Sequence, residues 1–117
     1  MHNYKELKVW QKSIDVTVKV YKISSQFPDS ERFNLISQTR RSTVSIPSNI
    51  AEGVGRNTNG EFNHFLGISS GSSFELETQM VVAQKLNYLT KETLDDFSKE
   101  IQEIQKMIFS FQNYLKK

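Results

Sequence analysis

Residues 93–115, TLDDFSKEIQEIQKMIFSFQNYL, decide the fold. Leu94, Phe97, Ile101, Ile104, Ile108, Phe111 and Leu115 recur at alternating intervals of three and four without a miss. That spacing is the seam of a helix that packs on other helices. Thr90 predicts the N-cap of this helix, and Glu92, Asp95 and Asp96 fall in its first turns, where the helix dipole favours negative charge.

One element upstream, Phe62, Phe65, Leu66, Ser69, Ser73, Leu76, Met80, Ala83 and Leu86 keep one face of a third helix, from near Thr58 to about Tyr88. Thr58 followed by Glu61 is the pattern of a capping box. The middle of this helix, ISSGSS, is unusual, because Gly71 alone costs about 1 kcal/mol relative to alanine. Ser69 to Ser73 therefore read as a flat patch where another helix, from this or another subunit, comes near.

The central stretch, FNLISQTRRSTVSIPSNIAEGVGRNTNGEF from Phe33 to Phe62, holds the second helix. Its apolar positions Leu35, Ile36, Ile46, Ile50, Ala51 and Val54 fit one face, with Pro47 in the middle of the run. A proline removes one backbone donor and crowds the preceding turn, so a kink near Thr43 to Pro47 is expected. The alternative is a break, with Ser45 as the N-cap of a new helix. Arg41, Ser45, Asn49, Glu52 and Arg56, at spacings of four, four, three and four, form one polar stripe along the helix. Gly53 and Gly55 read as its end, in the left-handed C-terminal conformation.

The first helix is expected from about Leu7 to Ser24. Leu7, Trp10, Ile14, Val18 and Tyr21 give one apolar face, and Val9, Val16, Val20 and Ile23 widen it into a second. A helix with two apolar faces touches two neighbours. Lys5, Lys8, Lys12, Lys19 and Lys22 read as its solvated side. In the turn SSQFPDSE, Pro28 ends the first helix, Asp29 or Ser30 caps the second, and Glu31 lies near its positive end. Four helices with short turns and no alternating strand pattern predict an all-α, antiparallel up-down-up-down four-helix bundle in one domain spanning residues 1–117, with a proline-kinked second helix.

Composition narrows function. At 117 residues the chain is large enough to bury one core. The absence of cysteine excludes disulfides, thiolate metal sites and cysteine nucleophiles. No run approaches the ~20 apolar residues of a membrane span, and MHNYKELKVW lacks a signal-peptide apolar region, so a cytoplasmic address is expected. The net charge is +2, unevenly spread: residues 1–56 carry nine Lys/Arg against five Asp/Glu, and residues 57–117 six against eight. Arg40, Arg41 and Arg56 are the candidates for phosphate contact, since guanidinium binds phosphate bidentately. Adjacent arginines on a helix point about 100° apart, however, so only one of Arg40 and Arg41 faces a given ligand squarely.

Sharper chemistries lack support. Glu61 and His64 match half of a di-iron Glu-x-x-His motif, with no second copy, so no metal is expected and His64 reads as a surface or interface residue. Gly53 and Gly55 lack the third glycine and preceding strand of a nucleotide loop. Glu75 and Glu77, two apart, point to different faces and are no acid–base pair. Ser42, Ser45 and Ser72 have no activating histidine. Phe62, Phe65, Phe97 and Phe111 read as core. No catalytic residue and no cofactor is expected.

The run of Leu7, Trp10 and Gln11, then FPDSE, QTRRSTVSIPSNIAEGVGR and GSSFELETQ, resembles the four-helix-bundle proteins encoded in intervening sequences of bacterial 23S ribosomal RNA genes. SIPSNIAEG followed by Arg56 is its specific part. A more distant likeness is to the accessory variability protein of diversity-generating retroelements. The resemblance implies a ring-shaped homopentamer without enzymatic activity that binds RNA or DNA, with a reverse transcriptase or other protein as a further partner. Gln38, Arg41, Ser45, Asn49, Glu52, Gly53, Arg56, Gly71, Ser72, Glu75 and Glu77 fall on recurring positions of the family. Ser70 departs from it, standing where a basic residue is expected. For Ser45, Pro47, Asn49, Glu52, Gly71, Ser72 and Glu75 the expected role is structural: an internal network linking Arg41, Asn49 and Glu52 that fixes the kink, or a subunit contact. The competing reading is an interaction scaffold that holds a partner protein without nucleic acid.

Overall fold

A computed structural model describes residues 3–116. Four helices, α1 (Lys8–Ser24), α2 (Leu35–Val54), α3 (Asn59–Lys85) and α4 (Lys91–Leu115), follow a short 3₁₀ turn at Tyr4–Glu6, and a second such turn at Asp29–Glu31 separates α1 from α2. There is no strand among the described residues. Each helix packs on two others in the cyclic order α1, α2, α3, α4, which sets α1 diagonal to α3 and α2 diagonal to α4. The core lies along the bundle axis, where Val16, Val20, Ile46, Ile50, Leu66, Leu76, Met80, Phe97, Ile101, Ile104 and Ile108 are buried.

The α4 seam is buried through Phe97, Ile101, Ile104 and Ile108, with Leu94, Phe111 and Leu115 packed half-buried at its two ends. On α1 the two apolar faces take unequal roles. Val9, Ser13, Val16, Val20 and Ser24 are the buried stripe, whereas Val18 and Tyr21 of the more regular stripe are exposed. Periodicity finds both faces and cannot rank them.

Helix ends follow local chemistry. Thr58 Oγ1 accepts from Glu61 N–H at 3.1 Å and its hydroxyl meets the Glu61 carboxylate at 3.1 Å. Thr90 Oγ1 accepts from Thr93 N–H at 3.1 Å. α3 stops at Lys85, short of Tyr88, because Asn87 takes a left-handed φ of 65°. Tyr88 N–H then reaches Ala83 O and Asn87 N–H reaches Gln84 O, both at 2.9 Å, the paired bonds of a Schellman motif. At the start of α2, Asp29 and Ser30 do not cap the helix: they lie in the preceding 3₁₀ turn. Glu31 takes over, accepting from Leu35 N–H at 3.4 Å through one carboxylate oxygen and from the Tyr88 hydroxyl at 2.9 Å through the other. That hydrogen bond also holds the Tyr88 phenol above its ordinary pKa.

α2 runs unbroken through the buried Pro47, so Ser45 does not start a new helix. Proline at 47 leaves Thr43 O without its usual helical donor. Thr17 of α1 supplies a substitute, its hydroxyl lying 3.1 Å from Thr43 O and 2.7 Å from Ser13 O, while Thr43 Oγ1 donates back to Thr17 Oγ1 at 3.1 Å. The next turn gains further donors. Ser69 of α3 gives its hydroxyl to Ile46 O at 2.5 Å, and Asn49 Nδ2 donates to Ser45 O at 2.8 Å.

The two glycines also differ from expectation. No described residue other than Asn87 has a positive φ, and Gly55 ends α2 in right-handed conformation. Gly53 is required for space instead: a Cβ there lies 2.8 Å from Phe62 Cδ1, 3.0 Å from Phe65 Cβ and 3.3 Å from Phe62 O. It lets α2 and α3 converge where they turn into one another.

Two outcomes test this account in urea unfolding. Thr17→Val removes the substitute donor and lowers stability by about 1–2 kcal/mol. In a Pro47→Ala background, where the backbone donor returns, the same change costs at most about half as much. Gly53→Ala lowers stability by about 1–3 kcal/mol through overpacking.

Candidate nucleic-acid interface

The three arginines are held by different elements. Arg40 turns toward α1, where Nε donates to Ser24 Oγ at 3.0 Å, Nη2 donates to Tyr21 O at 3.2 Å, and the guanidinium lies 4.7 Å from the Tyr21 ring centroid. It places a cation at the α1 C-terminus, where the helix dipole favours positive charge, and bonds one carbonyl of the last turn. Arg56 lies just beyond α2, its guanidinium stacked 4.7 Å from the Phe65 ring centroid and 3.4 Å from the Glu52 carboxylate. Arg41 is exposed and has no hydrogen bond or ion pair among the described residues. Arg40, in the second turn of α2, and Arg56, just past its C-terminal end, stand roughly 24 Å of helix rise apart. The three do not converge on one pocket of a single chain.

The polar stripe divides in the same way. Ser45 Oγ lies 2.8 Å from Ser72 Oγ of α3, and Asn49 Nδ2 donates to Ser45 Oγ at 2.9 Å. Ser42 donates to Glu75 at 2.7 Å. These bonds join α2 to α3. Glu52 answers to Arg56, so Arg41, Asn49 and Glu52 form no common network. Glu77 turns the other way, accepting from Gln105 at 3.1 Å and Gln102 at 3.4 Å of α4. Gly71 faces outward, and a Cβ there meets nothing within 4 Å. His64 is exposed, edge-on to Phe65.

Two lysines read as solvated have structural work instead. Lys12 pairs with Glu103 at 2.8 Å, and Lys19 pairs with Asp96 at 3.0 Å and with Glu100. These pairs fasten α1 to α4. The signal was present in sequence: Lys12 and Lys19 are seven apart, and Asp96, Glu100 and Glu103 follow at four and three on the facing helix. The hydrogen bond that Lys12 donates to Glu103 raises its pKa above 10.5, and those that Lys19 donates to Glu100 and then Asp96 raise its own in the same direction. Thr17 and Ser69, the donors around Pro47, gave no comparable signal.

An all-α four-helix bundle with this ordered set of hydroxyl, carboxylate and guanidinium contacts defines the structural class. The chain belongs to the 23S rRNA-intervening sequence protein family, whose profile matches residues 5–110. A crystal structure from Bacteroides thetaiotaomicron VPI-5482, described as a protein of unknown function from the S23 ribosomal protein family, superposes with a TM-score of 0.80 at 25% identity, covering 89% of this chain and 97% of that one. No curated protein matches. No helix is long and apolar enough to cross a membrane among the described residues.

The α1–α4 clasp has a defined pH dependence. A folded-state lysine pKa above the unfolded value stabilises below about 10.5, and the contribution is lost as pH rises through the folded value. Lys19→Gln therefore lowers the melting temperature by about 2–4 °C at pH 7, as expected of a partly exposed pair worth up to ~1 kcal/mol. The gap from wild type closes in strongly alkaline buffer, as scanning calorimetry across pH will show.

Proposed function

We propose that this chain is a non-enzymatic, cytoplasmic protein that assembles into a homo-oligomeric ring, a pentamer by family resemblance, and binds RNA or other nucleic acid through basic residues of its first two helices. Each protomer is read as an antiparallel up-down-up-down bundle with α2 bent at Pro47. The observation that carries the reading is Arg41, an exposed guanidinium with no partner among the described residues in a family named for a ribosomal RNA intervening sequence.

Arg56 is the second contact, since stacking on Phe65 orients its guanidinium while leaving it solvent-exposed. Arg40 is the weakest of the three, with two of its nitrogens committed to α1. One isolated arginine holds a phosphate weakly, and a ring supplies the same arginine several times around one axis, which raises avidity without a new contact. Sequestration of Lys12 and Lys19 by α4 leaves less free positive charge per protomer than the sequence count suggests.

Fluorescence anisotropy against labelled structured RNA, single-stranded RNA and duplex DNA, each titrated over a range of salt, tests this. Log affinity falls linearly with log salt, and the slope counts the phosphate contacts. Arg41→Gln weakens binding and flattens that slope; Arg41→Gln with Arg56→Gln does so further, and Arg40→Gln mainly destabilises the fold. A double variant that binds with the wild-type slope, or a wild type silent at low salt, overturns the nucleic-acid reading in favour of a protein scaffold.

A further inference from the structure

Among the described residues the most exposed large apolar side chain is Phe33, 87% exposed where the Asp29–Glu31 turn leads into α2. Such positions usually take Gly, Pro, Asn, Asp or Ser, and a phenylalanine left in water gains nothing from apolar transfer. The backbone that presents it is held on both sides. Arg32 N–H reaches Asp29 O and Asn34 N–H reaches Glu31 O, both at 3.0 Å, and Gln38 N–H reaches Asn34 O at 2.9 Å. The Glu31 carboxylate accepts from Leu35 N–H and from the Tyr88 hydroxyl. The ring is thus displayed from a pinned turn. A single exposed apolar residue carries no meaning by itself, and it is the side chains around Phe33 that give it one.

Arg32 is exposed and holds no hydrogen bond or ion pair among the described residues. Asn34, Gln38 and Arg41, at spacings of four and three, continue from Phe33 as one stripe over about 10 Å of helix rise. All three are exposed, and none of their side chains is hydrogen-bonded within the described chain. α2 and α3 run in a register that sets Ser42 opposite Glu75 and Ser45 opposite Ser72. Followed toward the turn, that register brings Lys85, also exposed and without an ion pair, to the same end. The carboxylates nearby are Asp29, Glu31 with both oxygens bonded, and Glu75 with one oxygen bonded to Ser42. Formal charge is therefore balanced here, and a phosphate is drawn by individual cations rather than by a broad field. Stacking on Phe33 adds a contribution that salt does not screen.

We infer that the start of α2 is a track for single-stranded nucleic acid: an unpaired base stacks on Phe33, the Arg32 guanidinium takes an adjoining phosphate, and the strand continues past Asn34 and Gln38 to Arg41. The inference rests on the nucleic-acid reading proposed above, adds Arg32 and Phe33 to it, and commits it to single strands. Bases inside a duplex are covered on both faces, so only a splayed-out base reaches an aromatic ring. Stacking accepts any base, and the carboxamides of Asn34 and Gln38 offer the donor and acceptor that base edges require. Arg41 then stands at one end of a continuous surface instead of alone.

Anisotropy titrations of the full chain with a labelled single-stranded RNA, and with the same strand annealed to its complement, test it. Wild type binds the single strand more tightly. Phe33→Ala weakens single-strand binding about tenfold, as expected for one lost stacked base, and leaves duplex binding and the salt slope unchanged. Phe33→Leu, apolar but without a π-face, does the same, and Phe33→Trp retains binding. Arg32→Gln flattens the salt slope. Melting temperature and mass by light scattering stay at wild-type values in the Phe33 variants, because the ring packs on little of its own chain. Phe33→Ala or Phe33→Leu binding the single strand as wild type does, or a wild type that prefers duplex, overturns the track and leaves the nucleic-acid reading standing. A fall in mass in Phe33→Ala also overturns the track, by making Phe33 a subunit contact. A wild type that binds neither form at low salt overturns both.

Discussion

The packing of this bundle turns on one missing hydrogen. Pro47 has no N–H to give, and Thr43 O sits in the interior of a helix that packs on both sides. A buried carbonyl without a donor costs about 1–3 kcal/mol, so the neighbouring helix α1 is drawn into the repair. Thr17 approaches from α1 to serve Thr43 O itself, and Ser69 of α3 bonds the neighbouring carbonyl of Ile46, which neither can do unless both helices pack closely on α2. The abundance of Ser and Thr along these contacts follows. Ser13, Thr17, Ser42, Thr43, Ser45, Ser69 and Ser72 are small enough for close approach and bring hydroxyls that satisfy the interior. Gly53 completes the set at the α2–α3 turn, where even a methyl group would collide with Phe62.

The α4 seam was legible because little competes with it: polar residues fill most positions between its apolar ones, and only Met107, Phe109 and Tyr114 near its end break the pattern. α1 was only half legible. Both of its apolar faces were visible and neither could be ranked, and the true core stripe includes Ser13 and Ser24, which no hydrophobicity rule selects. Serine is buried there because its hydroxyl bonds a carbonyl of its own helix, Trp10 O for Ser13 and Tyr21 O for Ser24. Caps with a hydroxyl directly before the helix, Thr58 and Thr90, were readable. The start of α2 was not, because its cap comes from Glu31, four residues away in sequence and brought close by a 3₁₀ turn.

The arginines show a different limit. Sequence placed Arg40, Arg41 and Arg56 on one helix and its end, and side-chain type made them equal candidates. Structure separates them by what surrounds each: a helix terminus and a tyrosine for Arg40, a phenylalanine and a glutamate for Arg56, and solvent for Arg41. The uneven charge of the two halves was likewise real and incomplete as a guide, since the acidic side of α4 draws part of the basic excess of α1 into interhelical pairs.

Those pairs have one more property, set by distance along the chain. Lys19 meets Asp96 and Glu100 across 77 and 81 intervening steps of sequence, whereas α2 and α3 are neighbours joined by a short turn. Closing the longer loop costs more chain entropy before any contact rewards it. The α2–α3 pair therefore closes at lower entropic cost than the α1–α4 clasp. A contact made after the transition state leaves the rate of folding nearly untouched and sets the rate of opening. Worth up to ~1 kcal/mol, a lysine clasp formed after the transition state slows opening by about fivefold at most.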